Sequence, residues 1–206
     1  MAKGTSNKIK SSFEESISLK QKILNDNLHE VLLEIGDLIV HSILNGGKIL
    51  LSGNGGSASD AQHLAAEFLV RLTSEVNRQG LPALSLVQDP STFTACINDF
   101  SSDEVFSRNL RTLGNDRDIL IAITTSGNSR NIINVLKEAR HLNIKTVGFL
   151  GGDGGKALEY CDFSFVVPSN STPRVQEMHI TAGHAVLQFA EDKLFEKGFL
   201  EISDRK

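Results

Sequence analysis

Apolar residues recur at helical spacing in two stretches before anything strand-like begins. From about residue 10 to 24 they fall at Phe13, Ile17, Leu19, Ile23 and Leu24. From about 27 to 44 they fall at Leu28, Val31, Leu32, Ile35, Leu38, Ile39 and Ile43. Both patterns predict amphipathic helices. Residues 1–9 are polar and predict a frayed end. After Gly46-Gly47 the period changes. Short continuous apolar runs at 48–52, 83–87, 118–123, 145–150 and 163–167 predict five strands. Between them, helical patterns occupy 58–72, a short stretch after Asp89-Pro90, a stretch from Ser101 and Glu104 to about 113, and about 130 to 141. A short helix is expected after the break at residues 151–155, and a long one from Thr172-Pro173 to about 197. Strands alternating with helices, each strand apolar on both faces, predict an α/β fold: a five-stranded parallel sheet covered on both sides. Nothing splits the chain, so residues 1–206 read as one domain, with N-terminal helices over 1–46 and the α/β sandwich over 47–200. One small sheet cannot cover both leading helices. An apolar face there is expected to pack on a partner chain, which makes the protein an oligomer.

Composition narrows the class rather than the function. The chain has 206 residues, 40% of them hydrophobic and 22% charged, enough for a full core. The 21 basic and 25 acidic residues leave a net charge of -4, which argues against broad electrostatic binding of nucleic acid. The two cysteines, Cys96 and Cys161, have no CxxC spacing and point to a reducing, cytoplasmic compartment. No apolar run reaches membrane-spanning length, and the polar first ten residues do not read as a signal peptide.

Candidate chemistry concentrates at the carboxyl ends of the strands, where ligands bind in such sheets. Residues 49–67 read as strand, glycine turn and helix start. Gly53, Gly55 and Gly56 permit close ligand approach, and a helix start after them offers free N–H groups to an anion. Ser57 and Asp60 have capping-box spacing, which would begin the helix at Ser57. His63 and Glu67 share one face of that helix. A second loop, residues 124–129, holds the hydroxyls of Thr124, Thr125, Ser126 and Ser129, a set suited to phosphate oxygens. It has no lysine, so a Walker-type mode is not used, and the run 151–156 lacks the Ser or Thr of a P-loop. Gly53-x-Gly55-x-x-Ala58 also satisfies the dinucleotide fingerprint, but the next acidic candidate, Asp89, comes too late. In the last helix Gln176 and His184 lie close to one stripe, with His179 more to the side. They interrupt an apolar face and call for polar partners. Two His, a Glu and a Gln could hold a divalent metal, or act as general acid and base without one.

The strings SGNGGSASDAQHLAAEF, CINDF, TTSGNS, GGDGGK and TPRVQEMH, in this order, resemble the phosphoheptose isomerases (sedoheptulose 7-phosphate isomerases) of the sugar-isomerase (SIS) domain superfamily. The likeness runs from about residue 27 to 194. It implies a flavodoxin-like sheet with N-terminal helices contributing to a homotetramer. It implies conversion of sedoheptulose 7-phosphate to D-glycero-D-manno-heptose 7-phosphate, toward ADP-heptose and lipopolysaccharide. By position, it makes Asn54, Gly55, Gly56, Ser57, Asn98, Asp99, Thr124, Thr125, Ser126, Ser129, Glu67 and Gln176 substrate contacts. It makes His63, Glu67, Gln176 and His184 zinc ligands, and Glu67 and His184 the acid–base pair. The hydroxyl loop opens with Thr124 where the family often has Ser, and Pro173 stands where some members carry Asp. A paralogue that binds the replication initiator without catalysis resembles parts of the chain too. It lacks the catalytic Glu and final His, both present here as Glu67 and His184.

Overall fold

Five strands form one parallel sheet: β1 (Ile49–Gly53), β2 (Ala83–Ser85), β3 (Ile119–Thr124), β4 (Lys145–Gly151) and β5 (Phe163–Val167). Their order is β2-β1-β3-β4-β5, the flavodoxin-like arrangement. The computed structural model describes residues 2–87 and 89–202, and of residues 2–6 the backbone only. The helices are α1 (Ala2–Asn25), α2 (Val31–Leu44), α3 (Gly56–Leu69), α4 (Pro90–Asp99), α5 (Val105–Leu113), α6 (Arg130–His141) and α7 (Thr172–Glu196). A 3-10 turn at Gly155–Tyr160 joins β4 to β5.

Alternation along the strands builds two cores. Ile49 and Leu51 of β1 and Ile121 and Ile123 of β3 pack with α2, α3 and α7. Leu50, Leu120 and Ala122 point the other way, into α5 and α6. The central strands are therefore apolar throughout because both faces are buried. β1 pairs with β3 from Ile49↔Ile119 to Gly53↔Ile123, so the two strands end level at one edge of the sheet. The loops at 53–57 and 124–129 leave from that edge together.

Three expectations are corrected. Helix α1 begins at Ala2 rather than fraying to residue 9: the segment has no proline and continues as a solvated helix. Helix α2 begins at Val31, not 27, because Asn27 adopts a left-handed φ of 55° that breaks the chain direction after α1. Neither capping box forms. The N-cap of α3 is Gly55, at φ 57°, and Glu104 at the start of α5 makes no side-chain cap. The Asp89-Pro90 start of α4 behaves as its sequence predicts: the Asp89 carboxylate accepts from the N–H groups of Ser91 and Thr92 at 2.9 and 3.1 Å.

Helix α1 leaves Ile9, Phe13, Ile17 and Leu24 more than half exposed. Its other side, Leu19 and Ile23, is buried in the core of α2 and α7. One face of α1 thus remains apolar and uncovered in the single chain.

Candidate active site

Helices α3 and α7 cross where Gly183 meets Leu64. A Cβ at Gly183 would lie 2.6 Å from both Leu64 methyls, so only glycine permits this approach. The crossing sets the next residue of α7, His184, against the preceding residue of α3, His63. Their Nε2 atoms are 3.0 Å apart and the rings meet edge-on at 64°. Glu67, one turn further along α3, places a carboxylate oxygen 3.5 Å from the His63 Nε2. One ligand atom from each of His63, Glu67 and His184 lies within 4.8 Å of the other two. The three residues are half-open to solvent, with the Glu67 side chain 20% exposed.

The third residue of the α3 stripe is Asp60, one turn before His63. Its Oδ2 is buried and has no hydrogen-bond partner among the described residues. Burial pushes the Asp60 carboxyl above the usual carboxylate range, and the neighbouring imidazoles of His63 and His184 oppose that rise. The sequence reading used Asp60 only as a cap. The signal that places it here is its spacing of three and seven from His63 and Glu67.

Gln176 reaches the glycine loop. The position a Cβ would take on Gly56 is 2.4 Å from the Gln176 Nε2, so the carboxamide rests directly on the bare backbone of the loop. His179, by contrast, belongs to the core. It is fully buried, its ring bonds the Leu150 carbonyl at 3.0 Å, and burial pushes its pKa down to about 4.

The two sheet-edge loops are tied to each other. Asn54 donates to Asn131 at 2.8 Å and Asn131 donates back at 2.9 Å, a reciprocal amide pair that spans the glycine loop and the first turn of α6. Thr124 and Ser57 are buried, while Ser126 is exposed and Thr125 and Ser129 are half-buried. The segment 151–157 supports the hydroxyl loop: Ala157 N–H donates to the Gly127 carbonyl at 2.8 Å and Lys156 N–H to Asn128 Oδ1 at 3.3 Å. Asn98 and Asp99, at the exposed end of α4, bond each other at 2.8 Å and, among the described residues, make no bond to either loop. Neither Asn131 nor Arg78 carries a local signal in the sequence.

Two imidazole nitrogens and a carboxylate oxygen in one small space are the donors a divalent transition metal takes. The donor set also suits proton transfer, since the carboxylate and an imidazole share one opening.

The SIS domain family model matches residues 12–151, and the chain belongs to that family. A phosphoheptose isomerase from Thermodesulfovibrio yellowstonii is 43% identical over 189 residues, 92% of each chain. One from Aliarcobacter butzleri is 50% identical over 169 residues, 82% of this chain and 88% of the relative. The phosphoheptose isomerase structures from Neisseria gonorrhoeae and Francisella tularensis superpose with TM-scores of 0.84 and 0.86 at 38% and 34% identity. They cover 91% of this chain and 99% and 98% of their own. Within the SIS family, the chain is a member of the phosphoheptose isomerases.

Proposed function

We propose that the chain is an aldose–ketose isomerase. It interconverts sedoheptulose 7-phosphate and D-glycero-D-manno-heptose 7-phosphate through an enediolate, in the supply of ADP-heptose for lipopolysaccharide. The observation that carries the reading is the meeting of His63, Glu67 and His184 within 4.8 Å of one another.

The reaction moves one proton between C1 and C2 and another between O1 and O2. Glu67 takes the proton from C1 of the ketose and returns it to C2. His184 carries the proton between the two oxygens. Thr124, Thr125, Ser126, Ser129 and Ser57, with the N–H groups of the two helix starts, hold the phosphate. That remote anchor orients the reacting end. Asn54, Gly55, Gly56, Gln176, Asn98 and Asp99 contact the sugar. His63, Glu67, Gln176 and His184 would hold zinc, which when bound polarises the carbonyl and steadies negative charge on the oxygens. Glu67 has two carboxylate oxygens, so holding a cation leaves one for the carbon proton.

The chain acts as a single SIS domain, residues 1–46 serving assembly. The uncovered apolar stripe of α1 supports a homotetramer. Two free cysteines and the absence, among the described residues, of a helix long and apolar enough to cross a membrane agree with a cytoplasmic enzyme. The partner is a phosphorylated seven-carbon sugar, with no direct contact to nucleic acid. The initiator-binding adaptor gains no support: the relatives named above are isomerases.

The test is direct. Purified protein is incubated with sedoheptulose 7-phosphate in zinc-replete buffer and again with chelator, and the aldose phosphate is followed. Conversion that chelator suppresses is expected. No conversion with zinc present would remove the isomerase reading.

A further inference from the structure

Arg78 lies in the irregular segment between α3 and β2, yet its side chain is fully buried. Its guanidinium meets four acceptors. Nε donates to the Glu191 carboxylate, Nη1 to the carbonyls of Phe68 at 3.1 Å and Gln79 at 3.0 Å, and Nη2 to the carbonyl of Glu67 at 3.2 Å. Glu67 and Phe68 belong to the last turn of α3, where carbonyls lack intrahelical donors and a cation is favoured. Glu191 stands on α7, seven residues beyond His184 and so on the same side of that helix. One planar cation therefore fastens the peptide of Glu67 to the helix that carries His184.

We infer that Arg78 and Glu191 form a positioning pair that fixes Glu67 against His184, acting through both helices without touching the substrate. The inference rests on the isomerase reading of Glu67 and His184. A buried ion pair is a poor source of stability, because apolar groups of similar volume serve as well or better. What the guanidinium fork supplies is direction: donors in a fixed plane, aimed at acceptors on two helices. At a reacting pair direction matters, since a displacement of about 1 Å costs on the order of 10²-fold in rate.

The experiment compares the parent with Arg78→Met/Glu191→Met, in which both charges leave together and the volume stays. The double variant is expected to melt somewhat below the parent, since the carbonyls of Glu67 and Gln79 lose their donor while that of Phe68 keeps the Leu81 N–H, and to remain folded at the assay temperature. Its KM for sedoheptulose 7-phosphate stays within about twofold, and its kcat falls at least about tenfold. Arg78→Lys, which keeps the charge and loses the fork, is expected to lose kcat at unchanged KM as well. It carries the test alone if the double variant does not fold. Parent-like kcat in a folded variant, or a loss of activity that merely tracks the fraction unfolded, overturns the inference. An inactive parent removes the isomerase reading and this inference with it. An active parent beside an equally active double variant removes the positioning role alone.

Discussion

The Nε2 atoms of His63 and His184 face each other at 3.0 Å, although 121 residues separate them in the chain. Had the two imidazoles lain far apart, α3 and α7 would have shared no reaction centre. Their meeting makes each helix's chemistry dependent on how the other is packed.

Replacing Glu67 by Gln keeps the shape of the side chain and removes its base. Turnover is expected to fall by at least about 10³-fold, while circular dichroism and melting temperature stay with the parent. The measurement is steady-state isomerisation alongside a thermal melt. Substantial activity in this variant would take Glu67 out of the chemistry.

Zinc that binds only the folded protein stabilises it by mass action, about 2.7 kcal/mol at a hundredfold excess over its dissociation constant. The parent is expected to melt at a higher temperature as zinc is added. His63→Ala and His184→Ala are each expected to lose most of that rise. A zinc-dependent shift that persists in both variants would place the metal elsewhere.

Gly183→Ala adds a methyl 2.6 Å from both Leu64 methyls at the crossing of the two helices. Overpacking of this kind costs about 1–3 kcal/mol and here also parts His63 from His184. Denaturant unfolding and kcat are both expected to fall. The double change Gly183→Ala with Leu64→Ala returns the space, and a double-mutant cycle is expected to give a coupling of at least about 0.5 kcal/mol.

Gly56→Ala acts differently. The new methyl meets the tip of Gln176, a half-buried and movable side chain, so stability is expected to hold within about 0.5 kcal/mol. Displacing the carboxamide from the loop is expected to lower kcat/KM at least about tenfold, read by initial rates against substrate concentration.

His179 ties stability to acid. In the unfolded chain it takes a proton near 6.5, whereas burial holds the folded form neutral down to about 4. Between these values the unfolded state binds more protons, so stability falls as pH drops from 6.5 to 4. The drop attributable to this one group is about 3 kcal/mol at 1.36 kcal/mol per unit. Urea unfolding at fixed protein concentration is expected to show it in the parent and a flatter profile in His179→Gln.

What the residues revealed in advance was whatever lies close along the chain. The buried run before Gly53 and the hydroxyls of 124–129 announce strands, loops and the sheet edge, because buried parallel strands must be apolar on both faces. Helical periodicity set His179 to one side of the Gln176–His184 stripe, and in the fold that side turns into the core. Where two local signals compete, the reading went astray. Ser57 and Asp60 have capping spacing, yet Asp60 is taken by the stripe that faces α7, and Gly55 starts the helix instead. The Arg78–Glu191 bond spans 113 residues and has no periodic or motif signature, so nothing short of the packed helices discloses it. The same holds for the 77-residue span of the Asn54–Asn131 pair.

Because all five strands run the same way, the segments that enter them, those of β1, β3 and β4 at its centre among them, share the opposite rim of the sheet. There Asp118 gathers the N–H and ammonium of Lys48 and the N–H of Asn115, and Asn143 turns the chain at φ 58°. Residues 142–143 lie on the rim opposite the loops at 53–57 and 124–129, so a fluorophore or affinity peptide grafted there labels or immobilises the protein while that loop edge stays open to solution.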